Sequence, residues 1–213
     1  ASSEVRGTVR LVAPEAFAYA IATPALAELR RTSPGVAVEL VTSTRPLSAR
    51  GAGFDLAVSV GPPAGSGMQS EALAAYALRL YAAPDYLATH PPIERVDDLL
   101  LHELVFYVDA LLTVRELDLA PLLGGMRVGF GSTSALAQVE ATRRGAGVGL
   151  LHSFIAEGDP ALVPVLPSEV DFRLQFALST RRESRGIAAV AAVREALIAQ
   201  SHARRDQLIP PTG

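Results

Sequence analysis

The sequence contains no cysteine, no lysine, no asparagine and no tryptophan. Without cysteine there is no disulfide scaffold, no thiolate catalysis and no Cys-ligated zinc or iron–sulfur centre. The compartment stays open on that evidence alone. Without lysine there is no phosphate-loop lysine. No apolar run approaches the roughly 18 residues that a membrane-crossing helix needs. There is also no run of basic charge. All 19 basic residues are arginines, against 22 acidic ones, for a net charge of −3. A chain of that balance is a poor holder of nucleic acid through phosphates. Ala1 to Gly7 has neither a positive n-region nor an apolar h-region, so no signal peptide is expected at this end.

What is present fits an ordinary globular chain. Apolar residues make up 49% and charged residues 19% of the 213, which excludes wholesale disorder. The length suits one domain of two lobes, or two small domains. The 36 alanines and the exclusive use of arginine fit GC-rich codons.

Val5, Val9 and Leu11 alternate with Arg6, Thr8 and Arg10, a strand pattern. Residues 15–32 carry Phe17, Ile21, Leu26 and Leu29 near one helical face. Pro24 inside that pattern predicts a kink or restart. Ser33-Pro34-Gly35 closes the helix, and Val36, Val38 and Leu40 begin a second strand. A short helix is expected over Pro46–Arg50, then a third strand over Asp55–Val60. This βαβαβ order argues for a parallel sheet with right-handed crossovers.

Residues 61–67 are a loop by composition, and 72–82 a strand. Short helices are expected at Pro84–Leu87 and Val96–Leu101, and strands at Leu104–Val108 and Arg127–Phe130. Residues 109–125 are not assigned. Ser132-Thr133-Ser134 offers capping hydroxyls to a helix ending near Arg144, with Gly145 as its stop. Strands follow at Gly147–Leu151, at Leu162–Leu166 (an edge, because of Pro164) and at 172–180. An Ala-rich helix spans 186–200, and the polar tail from Ser201 is expected to be loose. The whole reads as two α/β units in series. One strand near 74–82 leaves the first unit, and another near 172–180 returns to it.

Several segments carry a family resemblance. Gly7-Thr-Val-Arg-Leu-Val-Ala13, Ser33-Pro34-Gly35-Val36 and Phe54-Asp-Leu-Ala-Val-Ser-Val-Gly61 resemble the effector-binding domain of LysR-type transcriptional regulators. So do Leu80-Tyr-Ala-Ala-Pro-Asp-Tyr-Leu-Ala-Thr-His90, Asp97-Asp-Leu99 with His102, Gly131-Ser-Thr-Ser-Ala-Leu136, and Arg144-Gly-Ala-Gly-Val-Gly-Leu-Leu151. Each pattern is loose, but their ordered set is specific and runs through almost the whole chain.

The resemblance implies an α/β fold of two Rossmann-like lobes joined by two crossing strands, of the type 2 periplasmic-binding-protein kind. Lobe I is expected at 1–80 and 177–213, and lobe II at 81–176. It implies a small-molecule effector in the interlobe cleft, a cytoplasmic location, and a homodimer or homotetramer. DNA would be reached only through an N-terminal winged helix-turn-helix domain that these 213 residues do not include. No cofactor, metal, catalytic residue or membrane partner is expected. The sequence departs from the family at His152, where relatives often have proline, and at Pro14-Glu15, where many carry a small polar residue.

The candidate effector residues combine position and chemistry. Thr42, Ser43 and Thr44 follow the second strand, and ligands of open α/β sheets gather at strand carboxyl ends. Pro14, Glu15 and Ala16 start the first helix; Glu15 also simply complements its dipole. Gly61 ends the third strand and allows close approach to backbone. Ser132 and Thr133 sit at a strand-to-helix junction whose N–H groups favour an anion, or serve only as caps. Tyr107 offers a ring or hydroxyl, or is structural. His152 offers a donor or acceptor near neutral pH, or is a satisfied structural histidine.

An exported solute-binding protein of the same fold is the alternative reading, and a signal peptide would distinguish it. An enzyme is disfavoured. There is no Gly-x-Ser-x-Gly elbow, and the glycines at 145, 147 and 149 complete no dinucleotide fingerprint. The histidines at 90, 102, 152 and 202 lack metal-ligand spacing.

Overall fold

The computed structural model describes residues 5–43, 53–61, 68–108 and 125–211. The helix expected at 46–50, most of the 61–67 loop, the segment 109–124 and Thr44 lie outside them.

The chain divides into two compact units. The first comprises Ala1–Ala75 and Gln175–Arg205, the second Tyr76–Leu174 and Asp206–Gly213. In the first unit β1 (Gly7–Ala13) pairs in parallel with β2 (Val36–Thr42) and with β3 (Leu56–Val60). The β1–β2 register runs from Gly7↔Val36 to Ala13↔Thr42. β9 (Asp171–Arg181) returns antiparallel to β3, and the strand order continues to β4 (Met68–Ala82). The Ser70 and Ser179 hydroxyls, 2.8 Å apart, link β4 to β9 within this unit. β4 and β9 each begin in one unit and end in the other, so they are the two crossing strands.

Alternation in sequence becomes alternation in burial. Val9 and Leu11 are buried while Thr8 and Arg10 are exposed or on the rim of an ion pair with Glu39. The helical run over 15–32 restarts around Pro24, as expected. It passes from α1 (Glu15–Phe17) through a π-helical turn (Ala18–Ala22) into α2 (Thr23–Thr32). Pro24 has no N–H for the Ala20 carbonyl four residues back. The Arg204 guanidinium donates to that carbonyl at 3.0 Å, and the π-turn lets Thr23 N–H reach Ala18 O. The Ala20 carbonyl thus stays paired, and Pro24 sits in the first turn of α2, where its missing N–H is tolerated. Phe17 meets Phe176 edge to face at 5.0 Å beneath the helix.

The second unit has a parallel trio. β5 (Glu103–Phe106) lies between β6 (Arg127–Gly131) and β7 (Val148–His152), parallel to both. β7 pairs antiparallel with β4, which also takes the short β8 (Val163–Val165). Around them lie α3 (Pro84–Thr89), a 3-10 turn (Val96–Leu101), α4 (Ala135–Arg143) and α5 (Ser153–Ala156). Gly147 sits at φ +152, and a Cβ there would collide with the Glu103 carbonyl. That close approach requires glycine at the entry to β7.

The tail differs from expectation. α6 (Ala188–Ala203) runs past Ser201 and is followed by α7 (Arg205–Leu208). Leu208 is fully buried, and the Pro210 carbonyl accepts a 2.7 Å hydrogen bond from Arg79. Arg79 is 2% exposed and also pairs with Asp171 at 3.1 Å. A buried guanidinium must satisfy its donors. Arg79 therefore orders the tail, and residues 206–211 group with the second unit rather than with the first.

Candidate functional site

In the first unit the candidates share one edge. Pro14 follows the last residue of β1, and its carbonyl accepts the Ala18 N–H at 2.8 Å. Ala16 is buried and Glu15 half-buried in the first helical turn. Thr42 closes β2 opposite Ala13, and the Ser43 N–H donates to Ala13 O at 2.9 Å. Gly61 follows β3 at φ +69, a conformation that glycine adopts without strain. Its N–H donates to Gln175 O at 2.8 Å, and its carbonyl accepts the Ser59 hydroxyl. Since β1, β2 and β3 are parallel, all these residues lie at the carboxyl edge of one sheet.

The second unit repeats the arrangement. Tyr107 follows β5, Ser132 follows β6, and His152 ends β7. The Ser132 N–H donates to Phe106 O at 3.0 Å, and its carbonyl accepts Gln138 Nε2 at 2.8 Å. Ser132 Oγ accepts the Ser134 N–H at 3.1 Å. The capping residue of α4 is Ser134, whose hydroxyl accepts the Ala137 N–H at 3.1 Å. Ser132 is thus held by three bonds while its own O–H proton is left to donate elsewhere. Thr133 is exposed at the tip of the same turn. The amino end of α4 adds partial positive charge there.

Tyr107 is buried, with its ring edge-on to Phe106 at 5.4 Å. His152 is 5% exposed. Its ring stacks on Tyr76 at 5.6 Å and meets Phe154 edge-on at 5.3 Å. Burial lowers its pKa from 6.5 to about 4, so it is neutral at pH 7. A neutral imidazole offers one donor and one acceptor.

Tyr76 and Phe154 were not among the sequence candidates. Their role depends on the β4–β7 register, which sets Leu78 opposite His152. A second aromatic group surrounds His102. Tyr86 Oη lies 3.1 Å from His102 Nδ1, and the Tyr86 ring stacks on His90 at 3.8 Å. Burial, and then the neighbouring His90, lower the His102 pKa. This group links α3 to the residue that precedes β5. Among the described residues no cluster of three or more His, Asp or Glu is set to hold a metal ion.

Two parallel trios, each presenting its carboxyl edge, identify the class of fold. Residues 2–201 match the family described as the LysR substrate binding domain. The chain belongs to that family. Solved LysR-type regulators share the fold. The full-length virulence activator AphB of Vibrio cholerae superposes with TM-score 0.76 at 19% identity, over 92% of this chain and 69% of that one. The regulatory domain of CrgA from Neisseria meningitidis gives 0.77 at 17%, over 91% and 98%. The effector domain of AmpR from Pseudomonas aeruginosa gives 0.71 at 22%, over 94% and 97%. At these identities the likeness is one of fold. No curated protein matches the sequence. The LysR substrate-binding domain is α/β, with two lobes of the periplasmic-binding-protein kind. The chain is thus the effector-binding domain of a LysR-type regulator, and none of its helices among the described residues is long and apolar enough to cross a membrane.

Proposed function

We propose that this domain binds a small-molecule effector at the carboxyl edges of its two parallel trios and so controls transcription through its oligomer. The supporting observation is the coincidence of edges: every described candidate follows or ends a parallel strand. The residues in named roles are Ser132 and Thr133 as hydroxyl donors, and Ser43 and Gly61 as close-approach backbone. Neutral His152 is a donor or acceptor, Tyr107 a ring contact, and Pro14, Glu15, Ala16 and Thr42 the wall of the first-unit edge. Thr44 extends that edge by sequence.

The effector must favour one arrangement of the protein over another, because equal affinity for both shifts nothing. The shift then reaches DNA through the helix-turn-helix domains of a dimer or tetramer in the cytoplasm. The domain's part is binding and signalling, without turnover.

A thermal-shift screen of small metabolites, followed by calorimetry, tests this reading. A ligand at 100 times its Kd stabilises by about 2.7 kcal/mol. For a chain of this size that is roughly 5–10 °C in Tm. Thr133→Ala should weaken binding at unchanged ligand-free Tm; Ser132→Ala should weaken it too, with a slightly lower Tm because its hydroxyl also accepts the Ser134 N–H. Unchanged affinity in both variants removes that turn from the site.

A further inference from the structure

A separate cavity of about 240 Å³ lies within the first unit, at the amino end of α6. It is lined by Gln69, Glu71, Thr180, Arg185, Val190 with Ala191, and Arg194. The β3–β9 register places Thr180 beside Leu56, four residues from the Val60↔Phe176 pair that precedes Gly61. At the strand rise that is about 13 Å from the carboxyl edge. The cavity is therefore no part of the effector residues described above.

Its charges are unequal. Glu71 accepts a two-pronged pair from Arg194, at 2.8 and 2.7 Å, so those two offset each other. Arg185 makes no ion pair or hydrogen bond with any described residue. It is nonetheless presented from a pinned loop. Ser184 Oγ donates to Asp55 Oδ1 at 2.8 Å, and the Arg181 N–H donates to Asp55 O at 3.0 Å. Thr180 is 8% exposed, lines the cavity, and its hydroxyl has no partner among the described residues. No side chain caps α6, a sixteen-residue helix. Val190 and Ala191 supply an apolar wall.

We propose that this cavity is a second ligand site, for a small monocarboxylate. The carboxylate pairs with the Arg185 guanidinium and accepts the Thr180 O–H near the amino end of α6, where anions are favoured. One uncompensated cation suits one negative charge. The Glu71 carboxylate in the lining opposes a second.

Isobutyrate is the probe, with succinate as the dianion comparator, added to the ¹⁵N-labelled domain at constant ionic strength. Isobutyrate should produce saturable amide shifts at Thr180, Arg185, Gly186 and Val190. Arg185→Gln, at an exposed position, should weaken it at least tenfold, as should the near-isosteric Thr180→Val. Succinate should bind no tighter than isobutyrate. The proposal is overturned by an absence of saturable shifts, by affinity unchanged in Arg185→Gln, or by shifts centred on Gly61, Ser132 and Thr133. The last outcome would leave the carboxyl-edge reading standing.

Discussion

His152 gives the domain a calculable sensitivity to acid. Its ring is packed between Tyr76 and Phe154 at 5% exposure, and burial holds its pKa near 4 against 6.5 for a free histidine. The folded state therefore binds a proton less readily than the unfolded chain. Stability from this group is complete above pH 6.5 and is lost as pH falls toward 4. At about 1.4 kcal/mol per pKa unit, the full effect is roughly 3 kcal/mol, of which about 2 kcal/mol is lost by pH 5. Replacement by glutamine removes the titration and keeps a polar side chain of similar reach. Urea unfolding of both proteins at pH 7.5, 6, 5 and 4.5 separates this histidine from every other titrating group. The gap in unfolding free energy should close in the variant's favour by about 2 kcal/mol between pH 7.5 and 5. Parallel pH profiles for the two proteins would mean that water or a carboxylate reaches the ring and that burial does not depress its pKa.

Asp171→Ala should cost about 3 kcal/mol, because it leaves the buried Arg79 with one partner fewer; urea unfolding measures it. Removal of residues 206–213 should also lower the urea midpoint, since Leu208 is fully buried and Pro210 O accepts from Arg79. Gly147→Ala should cost about 3 kcal/mol through the collision with Glu103 O, read as a drop in Tm. Ser134→Ala should cost only about 1 kcal/mol as a lost cap, by the same measurement.

Local chemistry explains which parts of the fold were legible in sequence. Strands with strict alternation, such as Thr8–Leu11, announce themselves because one face must be buried. The α4 start was legible from its three hydroxyls, although only the contacts show that Ser134 is the cap and Ser132 the brace. Pro24 marked the helix restart at Thr23, but the π-turn before it was hidden because it goes with a distant group, Arg204, that pairs the Ala20 carbonyl. The tail misled for the same reason: its polar composition hides one buried leucine and a carbonyl used by Arg79. His152 was legible as a departure from the family pattern, but its aromatic surroundings depend on a pairing register 74 residues away in sequence. Long-range partners of this kind leave no periodic trace.

A sensing domain of a LysR-type regulator should be encoded downstream of its DNA-binding domain, so the reading frame upstream of the Ala1 codon is the measurement to make. The expected result is a winged helix-turn-helix domain joined in frame. A signal peptide ending near Ala1 would contradict it and make the protein an exported solute receptor.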